Sequence, residues 1–156
     1  MTDSRPLDDF DRRLLACLQA DGRLTNNELS DRINLSPSQC SRRRSRLEAD
    51  GFILGYHARL DRAKLGYGIV NIISVTLATH NRDNARRFAD LVRGLPQVLE
   101  AHALTGEMDY FLKVVTTDLK GLSEFVNDIL LPHESVQHVK TSIVLDSLKE
   151  DDALPL

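Results

Sequence analysis

The chain has 156 residues, with 20 Lys and Arg against 23 Asp and Glu, a formal charge of −3. That length holds one ordinary domain or two small ones of ~60–90 residues each. At 42% hydrophobic and 28% charged, with 8 Gly and 5 Pro, the composition excludes disordered, collagenous and low-complexity chains. The longest stretch without a formal charge, Leu65 to Asn81, falls short of the ~20 apolar residues of a bilayer span. Met1 to Arg5 has no apolar core for a secretory signal, so the expected location is cytoplasmic and no membrane partner is expected. Cys17 and Cys40 form neither a disulfide framework nor a metal spacing. No cofactor or metal is expected.

Charge is uneven along the chain. Residues 1–64 hold 12 basic and 10 acidic residues, whereas residues 65–156 hold 8 and 13. Within the first part, Ser36 to Arg46 (SPSQCSRRRSR) carries four arginines and no acid, an electrostatic footprint for phosphate on a small module.

In chain order, Phe10, Leu14, Leu15 and Leu18 predict a first helix, capped by Asp8 or Asp9 and closed at Asp21-Gly22. Thr25 and Glu28 form a capping box ahead of a short helix carrying Leu29 and Ile33. A second box, Ser36 with Gln39, opens a third helix with Pro37 in its first position, where a missing N–H costs nothing. Gly51 ends that helix, and Phe52 to Tyr56 reads as a short strand. Two short helices across a tight turn, a supporting helix and a small strand make a winged helix-turn-helix. Its second helix would read DNA. Ser36, Ser38 and Gln39 lie on its first turn, and Ser41, Arg42, Arg43 and Arg46 are expected on its outer face. Helix N-terminal amides and hydroxyls hold phosphate. Gln pairs with an adenine edge and Arg with guanine in the major groove.

Asp61 to Gly68 reads as a linker. Beyond it, strand–helix–strand occurs twice. Strands are expected at 69–79, 98–104, 110–116 and 136–145, and helices on the stripes Ala85-Phe88-Leu91-Val92-Leu95 and Leu122-Phe125-Val126-Ile129. Two such units in series predict a ferredoxin-like βαββαβ sheet with helices on one face. The fold class is therefore α+β, with a helix-turn-helix domain at 1–60, a linker at 61–68, a ferredoxin-like domain at 69–150 and a frayed acidic tail at 151–156. The first strand is apolar on both parities, which predicts that its second face buries against another copy in a homodimer. Between strands two and three, Thr105-Gly106-Glu107-Met108-Asp109 suits a small-molecule loop. Gly106 lets backbone amides approach a carboxylate and Asp109 can pair with an ammonium, the two ends of an α-amino acid.

These residues resemble the Lrp/AsnC family of leucine-responsive, or feast–famine, regulators. Leu7-Asp8 with Asp11, Asp21-Gly22-Arg23, Leu35-Ser36-Pro37, Arg46-Leu47-Glu48 with Gly51-Phe52-Ile53, and Thr105-Gly106 with Asp109-Tyr110 carry the resemblance. It implies a regulator that binds double-stranded DNA and dimerises, with dimers often stacked into octamers. An amino acid effector is then expected on Thr105, Gly106, Met108 and Asp109, together with Val136, Thr141 and Ser142. One departure stands out: Arg44 occupies a position that is usually apolar in the family. It is expected to snorkel outward along its stem, where it could add a cation to the DNA face. Two competing functions are weighed. A tetrapyrrole decarboxylase on this scaffold would draw on His57, His80, His102, His133 and His138, but no nucleophile set or metal spacing accompanies them. A sensor module without DNA binding would leave the arginines unexplained. The chain is therefore read as a non-enzymatic transcription regulator.

Overall fold

The computed structural model describes residues 6–79, 81–150 and 153–156. His80, the Met1–Arg5 segment and the first two tail residues lie outside them. The described chain forms two compact units, one up to Arg59 together with the residues from Lys149 on, the other Leu60–Leu148.

The first unit is built by caps. Asp8 opens α1 (Asp9–Ala20) in a reciprocal box with Asp11. Thr25 and Glu28 do the same for α2 (Asn26–Ile33), and Ser36 and Gln39 for α3 (Pro37–Ala49). Asn34 ends α2 at φ 57°, a left-handed conformation that Asn tolerates, and this makes the turn short. At the end of α3, Gly51 takes φ 76°. Its N–H donates to the Glu48 carbonyl and that of Phe52 to Leu47, the paired bonds of a Schellman stop. Leu14, Leu18, Leu24, Leu29, Ile33, Cys40 and Leu47 form the core between the helices.

Two expectations are corrected here. Residues 53–60 form neither helix nor strand, so the segment expected as a strand at 52–56 is none. The Phe52 and Ile53 amides both donate to the Leu47 carbonyl of α3, and among the described residues no second strand pairs with Leu54 to Tyr56. The tail, expected to fray, is held in its described part: Leu154 exchanges two hydrogen bonds with the Gln19 side chain, at 2.8 and 2.9 Å.

The second unit is a four-stranded antiparallel sheet in the order β2-β3-β1-β4, with β1 Ile69–Leu77, β2 Val98–Ala103, β3 Tyr110–Thr116 and β4 Val136–Ile143. This is the ferredoxin-like arrangement that the repeated pattern predicts. Ile73, Val75 and Leu77 of β1 and Leu112 and Val114 of β3 face α4 (Arg82–Arg93) and α5 (Leu119–Glu124) across a core with Phe88, Val92, Leu122 and Phe125. α5 widens into a π-helix over Phe125–Leu130, where the sequence pattern predicts unbroken α-helix. Pro132, just beyond, lacks the N–H that an α-helix would aim at the Asp128 carbonyl, and the ladder changes register before reaching it.

Register places Ile72, Ser74 and Thr76 of β1 on the opposite face, beside Phe111 and Lys113 of β3 and Lys140 and Ser142 of β4. Lys113 is paired there with Glu100 at 2.9 Å. Strand one is apolar there at Val70 and Ile72, but its neighbours make the surface mixed.

Candidate nucleic-acid interface and effector loop

The candidate recognition helix α3 begins with groups that already serve the helix itself. The Ser36 hydroxyl accepts from the Gln39 amide at 3.3 Å, and Gln39 Oε1 accepts from the Ser36 amide at 3.0 Å. Ser38 Oγ lies 3.0 Å from Ser36 Oγ. In this geometry the Gln39 carbonyl oxygen is engaged as a cap. Ser36, Ser38 and Gln39 are exposed, and Ser41 is half-buried.

The four arginines divide sharply. Arg42 is exposed and has no ion pair among the described residues. Arg43, expected on the outer face, turns back to α1. Its Nη1 donates to Asp8 at 2.7 and 2.8 Å and to Asp11 at 2.7 Å, and the guanidinium lies 5.5 Å from the Phe10 ring centroid. Arg46, expected on the same face, places Nη2 2.5 Å from Asp11 Oδ2, at ion-pair distance without hydrogen-bond alignment. Asp11 itself is fully buried. Burial pushes its carboxyl up, but the Arg46 and Arg43 guanidiniums outweigh that and hold it below the usual carboxylate range. Hydrogen bonding from Arg43 first, then from the Asp11 amide, lowers Asp8 as well.

Arg44 does not snorkel freely. Its Nε donates to the Tyr56 hydroxyl at 2.9 Å and to Glu48 at 3.3 Å, and Nη1 donates to the Leu24 carbonyl at 3.0 Å. The guanidinium sits 4.6 Å from the Tyr56 ring centroid. An aliphatic stem on the helix and a polar head on three acceptors replace the apolar side chain expected there.

Asp11, the partner of both arginines, is not among the residues expected at the site from the sequence. A signal was present: Asp11, Leu14 and Leu18 fall at i, i+3 and i+7 on one face of α1. A carboxylate on an apolar stripe demands a cation.

In the second unit, the loop after β2 meets the end of β1. Asp109 Oδ2 accepts from the Leu77 amide at 2.8 Å, the Asp109 amide donates to Val75, and its carbonyl accepts from Leu104. Met108 Sδ accepts from the Thr76 hydroxyl at 3.5 Å. Gly106 has φ 123°, which strains any L side chain, and open space around its missing Cβ. Thr105 is exposed. A small cavity of about 250 Å3 at this end is lined by Leu77, Asn81, Ala85, Leu104, Asp109 and Tyr110. Val136 pairs with Leu77 and so lies at the same end of the sheet. Thr141 and Ser142 pair with Ile73 and Ile72, about 16–20 Å farther along β4. One protomer therefore brings Val136 to the loop, but not Thr141 or Ser142.

His57 belongs to the helical unit, His133 follows the π-helix, and His102 and His138 sit on opposite edge strands with two strands between them, about 14 Å apart. Among the described residues no group of three His, Cys, Asp or Glu could hold a metal, and no helix is long and apolar enough to cross a membrane.

Comparison with known proteins bears on both regions. The family model for the Lrp/AsnC ligand binding domain matches residues 71–154, and that for winged helix-turn-helix DNA-binding matches residues 7–53. The HTH-type transcriptional regulator AldR of Mycolicibacterium smegmatis is 35% identical over 94% of this chain and 85% of its own. The leucine-responsive regulatory protein of Escherichia coli is 35% identical over 96% and 92%. A transcriptional regulator of Neisseria meningitidis, solved in complex with L-Met, superposes with a TM-score of 0.93 at 43% identity, covering 96% of this chain and 97% of that one.

Proposed function

The chain belongs to the Lrp/AsnC family of helix-turn-helix transcription regulators, and from that premise we propose that an amino acid bound at the Thr105–Asp109 loop controls its hold on double-stranded DNA. The observation that carries the DNA half is α3 itself, a capped helix with Ser36, Ser38 and Gln39 exposed on its first turn, Ser41 half-buried, and an exposed Arg42 that has no ion pair among the described residues. Hydroxyls and amides of its first turn meet phosphate, and Arg42 meets phosphate or guanine.

The effector half rests on the loop. Gly106 leaves room for a carboxylate to approach backbone amides, while the Leu77 amide fixes Asp109 within reach of an ammonium. The L-Met complex of the Neisseria relative supports an amino acid as the ligand class. Because Thr141 and Ser142 lie far from the loop within one protomer, they join an effector site only from a neighbouring subunit. This favours a homo-oligomer as the working form, acting in the cytoplasm as a regulator and not as an enzyme. The face of β1 left by the helices, where Ile72 stays partly exposed, supports a homodimer as its smallest unit.

The test is a gel-shift titration on genomic fragments with and without each of the twenty amino acids. One or a few amino acids should change the apparent affinity or the ladder of complexes, and Asp109→Asn should abolish that response while DNA binding persists. A response that survives Asp109→Asn contradicts the effector assignment, and absence of any retarded fragment contradicts the DNA assignment.

A further inference from the structure

Asp11 faces two arginines of the helix that meets DNA, and the electrostatics of that arrangement reach beyond packing. Four cations stand within Ser36–Arg46. Non-specific affinity for DNA grows with every cation that can reach a phosphate, whatever the sequence. Here Arg43 is closed between Asp8 and Asp11, and Arg46 lies against Asp11. Arg44 is bound to Glu48, Tyr56 and the Leu24 carbonyl. Of the four, Arg42 alone is left without an acid among the described residues.

We infer that Asp11, with Asp8, sets the DNA specificity of this regulator by withholding Arg43 and Arg46 from the phosphate backbone while fixing the recognition helix on α1. The inference rests on the DNA-binding reading above. The clamp has two consequences that a purely structural ion pair lacks. It keeps the sequence-independent part of binding small, so that contacts to base edges carry a larger share of the discrimination. It also assigns unequal roles to arginines that the sequence presents as equivalent. Arg42 contacts DNA, whereas Arg43 and Arg46 act through Asp11 as positioning residues.

The experiment measures affinity for mixed genomic DNA across a salt series, and for a selected binding fragment, with each variant checked for folding by circular dichroism. Arg42→Ala should lower the slope of log K against log salt by about 0.9 for each phosphate it no longer neutralises, and Arg43→Gln should leave it unchanged. Asp11→Asn releases two cations and should steepen the slope. For each protomer on the DNA, neutralising two further phosphates makes the affinity fall about tenfold more than wild type between roughly 50 and 200 mM salt, hence about a hundredfold for a dimer. Its preference for the selected fragment over mixed DNA should shrink in parallel. Asp8→Asn keeps a side chain able to cap α1, so it serves as a folded second variant with a smaller shift of the same sign. Asp9→Asn removes an exposed charge outside the clamp and should leave the slope in place. If Arg43→Gln flattens the slope as much as Arg42→Ala, or if Asp9→Asn matches Asp8→Asn, the clamp does not gate the arginines and the inference is overturned. A wild-type protein with no salt dependence would instead overturn the DNA-binding reading beneath it.

Discussion

Asp11 sits on the apolar stripe of α1 and is as buried as Leu14. Breaking a buried ion pair from one side leaves the other charge uncompensated, so Asp11→Ala should destabilise the protein by about 3 kcal/mol, read as a lower urea midpoint. Arg42→Ala, at an exposed position without an ion pair, should leave that midpoint within about 0.5 kcal/mol while weakening DNA binding. Neither role was legible along the sequence. Asp11 and Arg43 lie 32 positions apart, and a run of arginines read linearly looks like one patch. Only the fold shows which guanidiniums point back. Arg44 was visible as an anomaly, yet its acceptors, Leu24 and Tyr56, come from segments 20 and 12 residues away.

At the scale of elements, local chemistry was the most readable. Each helix of the first unit opens on a reciprocal capping box, two of which stand in the sequence as Thr-x-x-Glu and Ser-x-x-Gln. Ser36→Ala removes one such cap and should lower stability by about 1 kcal/mol, while Leu47→Ala, in the core, should lower it by about 2–5 kcal/mol. The strand at 52–56 could not be settled locally, since strands need partners and the pattern Phe52-Ile53-Leu54 says nothing of one. The contact between α1 and α3 also carries a pH signature. Asp8 and Asp11 both have folded-state pKa values below their unfolded ones. Their stabilisation is therefore complete above pH ~4 and drains away as pH falls through the lowered folded values. Thermal melts from pH 6 down to pH 2 should show the wild type losing this increment, with a shallower loss in Asp11→Asn.

On the scale of the whole molecule, the repeated strand–helix–strand pattern was enough to give a four-stranded ferredoxin-like sheet with helices on one face, because two βαβ-like units leave few ways to place four strands. The effector site was only half legible. The loop with Gly106 and Asp109 announces itself by residue type, but Thr141 and Ser142 are separated from it by most of β4. A ligand that binds the folded protein stabilises it, by about 2.7 kcal/mol at 100 times its dissociation constant. A thermal-shift screen of the amino acids should therefore yield one clear class of hits, absent in Asp109→Asn.

The salt dependence of DNA binding by the wild-type protein tests the central claim most directly. A dimer presenting Arg42 from each of its paired α3 helices should neutralise at least two phosphates, giving a slope of log K against log salt of about −2 or steeper. A slope near zero would contradict the account.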